Sequence, residues 1–368
     1  MSSLETTTYV HDIFIKMFRN INETRLSFGR GHNLLVGPNG HGKTNCLEAI
    51  ALACSLRPMQ SLKNLDLIKL DEPAATIVAS FTDHRRIEIE ILPAGKRARL
   101  NDHAVRAAQT LAKSIALVSF IPAELSMIAG PSALRRRALD QACASLFFEH
   151  VAAFKAYEKV LFHRNRLLKD WPVDHATLKT FTELLIKEGA QVIAFRLKTI
   201  EALHERFSRH VRHILGLNQT GTLSYVMREQ EIKNHTPCDL MAMLDQEHQM
   251  AREQEIRRKV TLFGPHLDDL NFYINGINAK RAASRGQSRA LVLAFKLAQM
   301  LSILAIRGCA PIIILDDIVS ELDHDVRFNL IETIKSLKTQ AFFSATDVEA
   351  FASLDADQIF SIHHGSVV

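Results

Sequence analysis

Residues 37–44 read Gly37-Pro38-Asn39-Gly40-His41-Gly42-Lys43-Thr44, the G-x-x-x-x-G-K-[ST] spacing of a phosphate-binding loop. An apolar run, Leu34-Leu35-Val36, precedes it, and a helix-like stretch from Asn45 to Cys54 follows. That order of strand, loop and helix gives the motif its meaning. Glycines let backbone N–H groups converge on phosphate oxygens, and the helix N-terminus adds a positive field. Lys43 is placed to reach the β- and γ-phosphates, and the Thr44 hydroxyl to ligate Mg²⁺. The loop, with Asn45 after it, is the expected site of a nucleoside triphosphate.

Working outward, a second apolar run, Ile312-Ile313-Ile314-Leu315, ends in Asp316-Asp317. A buried strand closed by carboxylates puts one on Mg²⁺ and leaves the next to orient water. Asp316 is the expected metal ligand and Asp317 the catalytic residue on the attacking water, with Lys43. Thirty residues before Asp316, within Ser284-Arg285-Gly286-Gln287, lies Gly286; the turn opens a helical run through Leu293, Leu297, Leu301 and Leu304. By itself the tetrapeptide reads as a helix cap. Beside a phosphate loop and an acidic strand end it reads as a second anion site. In the ABC and SMC class of ATPases, the signature turn of one subunit closes on the γ-phosphate held by the other. Ser284, Gly286 and Gln287 are therefore expected to act in trans.

The intervening chain changes character. Up to about residue 130 it is β-rich, with strand patterns at Val10–Ile15, Asn33–Val36, Thr76–Phe81, Arg86–Leu92 and Ile115–Phe120. From Ser132 to about Gly216 it is helical, and Ile193, Leu197, Ile200, Leu203, Phe207, Val211 and Ile214 recur at intervals of three and four. A strand at Thr222–Met227 and a polar helix at Asp239–Lys259 follow, and the β/α pattern resumes at Val260. Asn275-Gly276 marks a hairpin. Lys43 and Ser284 stand 241 residues apart, yet one ATPase fold must hold both. The expected fold is α/β: a discontinuous ABC/SMC-type P-loop head from residues 1–130 and 260–368, with an inserted, mainly helical arm over 131–259. The arm is too short for the extended coiled coil of an SMC protein, and the gap too long for an ABC transporter subunit.

Composition narrows the classes. With 45 Lys and Arg against 40 Asp and Glu, the chain carries +5, which permits nucleic-acid binding without requiring it. Cys46, Cys54, Cys143, Cys238 and Cys309 form no C-x-x-C pair and read as reduced, buried thiols of a cytosolic protein. The most apolar stretch, Leu291–Leu315, contains Lys296, Gln299 and Arg307, so it reads as a buried helix and strand and not a membrane span. No basic region followed by an apolar core opens the chain, so no secretory signal is expected.

Further segments complete a resemblance. Phe18-Arg19-Asn20, the loop with Asn45, Leu47-Glu48-Ala49-Ile50, Phe120 to Leu125 with Gly130-Pro131 and Arg135-Arg136, His163 to Lys169, Gly264 to Asp269 and Ser320-Glu321-Leu322-Asp323 appear in order along the chain. In that order they resemble the motifs of the RecF family of SMC-like ATPases, from residue 13 to about 347. The resemblance implies an ATP-dependent homodimer that closes on single-strand gaps and junctions, on single- and double-stranded DNA. It implies slow, DNA-stimulated hydrolysis that reopens the dimer, a RecR-type mediator, the loading of RecA, and a cytoplasmic, nucleoid-associated location. It also implies Arg19 at the nucleotide and Asp323 in the D-loop. Arg135, Arg136, Arg137, Arg164 and Arg166 are the candidates for DNA phosphates. Three departures stand out: Leu267 where the family has Arg, Ala123-Glu124 for Glu-Asp, and Thr346 where ABC transporter ATPases place a switch histidine. The alternative is a related ABC- or AAA-like ATPase with nuclease or transport-coupling function. A nuclease needs a further acidic metal cluster, for which Asp268-Asp269 is the one other Asp-Asp pair, read as structural or dimer-related.

Overall fold

The computed structural model describes residues 8–367 apart from 61, 105–107, 171, 173, 234, 319–321, 323, 349, 350, 352 and 353. The chain divides into two compact units, Met1–Leu125 with Lys296–Val368, and Ser126–Phe295. The inserted unit is larger than the 131–259 expected from composition. It takes in the Gly264–Asp269 segment, the Asn275-Gly276 hairpin and the Ser284 turn.

Among the described residues the first unit contains two six-stranded sheets. One is antiparallel, with Val10–Phe18 central between Ile21–Ser27 and Ala75–Phe81, and Arg86–Leu92 and Gly95–Leu100 beyond. Alternation builds it: Ile87, Ile89 and Ile91 are buried while Arg86, Glu88 and Glu90 are not. The other sheet places His32–Val36, Ala341–Ala345, Ile312–Asp316 and Leu117–Phe120 side by side and parallel. Ile312–Asp316 and Ala341–Ala345 are buried at every residue, as strands covered on both faces must be. The helix Lys43–Ser55 has all residues from Cys46 to Cys54 buried, in one core with side chains of both sheets.

The helix Arg285–Arg307 is long and apolar enough to span a membrane by length and composition. The protein itself buries it, from Ala290 to Leu297 without a break. Its Lys296, 1 % exposed, donates to Glu124 Oε1 at 2.7 Å and to the Ser119 carbonyl at 2.8 Å. Glu124, one of the family departures, is thus committed to a buried ion pair.

The second unit is built on His175–Leu215, a single helix of 41 residues, about 60 Å long at 1.5 Å per residue. Asp174 caps it, accepting from the N–H groups of Ala176 and Thr177. Ile193, Ile200, Leu203, Phe207 and Val211 form its buried stripe. It packs on Glu149–Leu167, Pro237–Arg258 and the strand Gly221–Met227. That strand pairs antiparallel with Asp269–Ile274. Three arginines hold this unit together from inside. Arg135 pairs with Asp269, Arg164 with Glu255 and Arg196 with Asp140, each through two nitrogens. Burial pushes the Asp140 and Glu255 carboxyls up. The guanidiniums and the hydrogen bonds to His150 and His248 outweigh this and hold both at about 2.

Candidate active site

In an open parallel sheet, ligands bind beyond the carboxyl ends of the strands. The strand His32–Val36 runs into the glycine-rich loop, and Ile312–Asp316 ends in the acidic pair. They are not neighbours: Ala341–Ala345 lies between them. This places Ser344 at the centre of the site. Its hydroxyl donates to Asp316 Oδ1 at 2.8 Å and accepts the Asp317 N–H at 2.9 Å. Thr44 donates to the same Asp316 oxygen at 2.8 Å. Ser344 was not anticipated, although a polar residue closing the apolar run Ala341-Phe342-Phe343 is the kind of signal that could have found it.

The loop is shaped by close backbone approach. A Cβ on Gly37 would stand 2.3 Å from the Ile362 carbonyl oxygen. Lys43, 5 % exposed, folds its ammonium onto the Gly37 and Pro38 carbonyls at 2.6 and 3.0 Å. Burial lowers its pKa, against the opposing charges of Asp317 and Asp316. Burial also raises the Asp316 pKa, partly offset by the Ser344 and Thr44 hydrogen bonds. Asp317 adopts φ 48, a left-handed conformation that Asp tolerates better than most residues, and its side chain is half-buried. Asn39, Gly40, Gly42, Lys43, Thr44, Asn45, Asp317 and Ser344 line one cavity of about 100 Å³.

The donor set fits Mg²⁺. Thr44 Oγ1 and Asp316 Oδ1 are hard oxygens 2.8 Å apart, close to the roughly 3 Å between adjacent ligands of an octahedral ion bound at about 2.0–2.1 Å. Arg19 and Asn45 are adjacent: Arg19 Nη1 donates to Asn45 Oδ1 at 2.7 Å. Asn45 donates in turn to Asn20 at 2.7 Å, and Asn20 to the Gly40 carbonyl at 3.2 Å. Pro38 and His41 complete the loop.

In the second unit, Ser284 and Gln287 form a reciprocal cap: the Gln287 N–H donates to Ser284 Oγ at 3.2 Å and the Ser284 N–H to Gln287 Oε1 at 2.9 Å. Ser284, Arg285 and Gly286 are exposed. Asp323 lies outside the described residues. Thr346 and Leu267 are exposed.

Two of the expected DNA-contacting residues are corrected. Arg135 is 1 % exposed and also donates to the carbonyls of Met127, Ile128 and Gly130. Arg164 is 0 % exposed and donates to Thr182 and Thr261 besides Glu255. Neither can meet a backbone phosphate without giving up its carboxylate partner, half-buried Asp269 for Arg135 and buried Glu255 for Arg164. Arg136 is half-buried and donates to Ser132 and the Asp268 carbonyl. Arg137 is half-buried and Arg166 exposed.

A phosphate loop and a carboxylate-ended strand joined at the carboxyl edge of a parallel sheet, with a helical unit between head segments, define an SMC-like ABC-type ATPase head. The RecF/RecN/SMC N-terminal domain family matches residues 9–366. A DNA replication and repair protein RecF of Symbiobacterium thermophilum is 32 % identical over 372 residues, covering 98 % of each chain. The RecF of Geotalea daltonii is 30 % identical over 368 residues, covering 98 % of this chain and 99 % of its own. A solved structure of the recombination mediator protein RecF-ATP, of the RecFOR pathway, superposes with a TM-score of 0.87 at 27 % identity, over 98 % of this chain and 97 % of that one. The chain belongs to the RecF family of DNA replication and repair proteins.

Proposed function

We propose that this chain is an ATP-dependent DNA-binding protein of recombinational gap repair and replication restart. The observation that carries the reading is the meeting of Thr44, Asp316 and Ser344 around one carboxylate oxygen, beside a cavity lined by Lys43 and Asp317. Its membership of the RecF family supports the rest. Lys43 and the loop N–H groups bind the phosphates; Thr44 and Asp316 hold the metal. A Mg²⁺ held there would supply positive charge against the phosphate oxygens. Asp317 orients the attacking water and accepts its proton. Ser284 and Gly286 are exposed at a helix N-terminus with half-buried Gln287 beside them, a turn suited to approach the γ-phosphate held by a second copy.

In this reading two copies close on ATP into a homodimer that holds gapped, single-stranded or double-stranded DNA. Slow, DNA-stimulated hydrolysis reopens it, in the cytoplasm, in company with a RecR-type mediator and the loading of RecA. Arg137, Arg166 and Arg136 remain the DNA candidates, and Asp323 the D-loop acid. The test is analytical sedimentation of the full chain with and without MgATP and a gapped duplex. A dimer is expected only with ATP, and a DNA-bound dimer only with both. A monomer under all conditions would remove the reading.

A further inference from the structure

The phosphate loop of this chain carries an imidazole at a position the motif leaves open, and the C-terminal hairpin brings two more to it. The His41 ring centroid lies 4.4 Å from that of His364, with planes inclined by 32°, and 5.6 Å from that of His363 at 81°. The hairpin is fixed there. The Gly365 N–H donates to the His41 carbonyl at 2.8 Å. A Cβ on Gly365 would stand 2.7 Å from the Asn20 carbonyl oxygen, so the chain passes against the residue that bonds Gly40. His41 Nδ1 is buried without a hydrogen-bond partner among the described residues. His363 and His364 are exposed.

We propose that His41, His363 and His364 form a proton-binding part of the nucleotide site, so that the triphosphate is taken up together with a proton. The proposal rests on the ATP-binding reading above. The charged and titratable groups facing His41 are Lys43 on the helix after the loop and His363 and His364 on the hairpin. All are cationic when protonated. In the free protein, burial, the two imidazoles and Lys43 together disfavour the His41 cation. A triphosphate on the adjacent loop brings negative charge that reverses this balance. The imidazole pKa is then higher in the bound state than in the free state. Affinity therefore rises as pH falls through the interval between the two values, and is flat outside it. One proton gives at most about a tenfold change per pH unit.

The experiment is calorimetric titration of the full chain with MgATP at pH 6.5 in PIPES and in imidazole buffer, whose different ionisation enthalpies count the protons exchanged. The comparison is with the triple variant His41→Gln, His363→Gln, His364→Asn. Asn suits the last position, where φ is 50. Protonation of ATP itself is common to both proteins and cancels. The parent is expected to take up a substantial fraction of a proton that the triple variant does not, and to gain affinity severalfold more than the variant between pH 8 and 6. Equal proton counts in the two, with binding intact, overturn the proposal. Should the triple variant not fold, the single variant His41→Gln removes the imidazole on the loop alone, and an undiminished count there overturns it equally. No binding of ATP to the parent at all would instead remove the nucleotide reading beneath it.

Discussion

The Thr44 hydroxyl and the Asp316 carboxylate meet at 2.8 Å across 272 residues of chain. The first residues of the helix Lys43–Ser55 and the last of the strand Ile312–Asp316 are thereby locked together, and Ser344 closes the group from the strand between. The contact sets side by side, at the end of the loop, the two oxygens that would hold a divalent ion.

Replacing Lys43 by alanine removes the cation of the phosphate loop. Its ammonium bonds carbonyls of the loop itself, charge-assisted contacts of about 1.5–3 kcal/mol each, and the apolar core is untouched, so the fold should survive. ATP-dependent dimerisation should be lost, read by sedimentation. A Lys43→Ala chain that dimerises with ATP as the parent does would show the site to be misassigned.

Ser284→Arg places a long side chain at the exposed turn where a second copy's nucleotide is expected. It also removes a helix cap, at a cost of about 1 kcal/mol. Each monomer should still bind ATP, while dimer closure fails. If fluorescent-nucleotide binding to the monomer dropped as far as in Lys43→Ala, the in-trans assignment would be wrong.

Asp317→Asn keeps size and tolerates the left-handed backbone at φ 48, but takes away the base. Hydrolysis should fall by about 10²–10⁴-fold, with ATP binding retained through Lys43, Thr44 and Asp316. The dimer should then hold a labelled gapped duplex longer after a competitor chase. Normal hydrolysis would remove Asp317 from catalysis; lost hydrolysis with unchanged release would break the link between the two.

Arg164→Ala should destabilise the helical unit by about 3–5 kcal/mol, because buried Glu255 loses its guanidinium and keeps only His248 and the Leu262 N–H. Replacing both, as Arg164→Met with Glu255→Leu, should cost much less. Chemical denaturation of the two variants checks this. A surface role for Arg164 would instead give a small stability change and weaker DNA binding.

Asp268 gives the second unit a pH signature. Burial raises its carboxyl to about 7, and Tyr225 donates to it at 2.6 Å. Its folded pKa lies above its unfolded one, so its contribution is present in full below about pH 4 and is lost as pH rises toward 7, at most about 1.4 kcal/mol per unit. Asp140 and Glu255, held at about 2, act oppositely: their stabilisation is present above about pH 4 and lost on acidification toward 2. Asp268→Asn should flatten the upper slope and leave the acid limb. Denaturation midpoints measured from pH 3 to 8 would expose an error if both limbs were unchanged.

The phosphate loop, the acidic strand end and the hairpin at Asn275-Gly276 were legible because each is a local pattern whose residues lie within one element and its flanks. So was the stripe of the long helix, since a 3.6-residue period survives whatever the helix packs on. The sequence alone therefore determined a P-loop head interrupted by a helical segment, and the motif order pointed to the RecF family. What only the tertiary structure decided was which charges face water. An Arg-Arg-Arg run, or an arginine within His163–Lys169, looks the same whether it meets solvent or a carboxylate far along the chain. Arg135 and Arg164 proved to be interior because Asp269 and Glu255 are brought to them by other elements. Ser344, Asn20 and the histidines of the C-terminal hairpin likewise join the site through strand order and hairpin docking. Those are long-range pairings, set by the packing of both sheets around the helix Lys43–Ser55, and no window of sequence contains both partners.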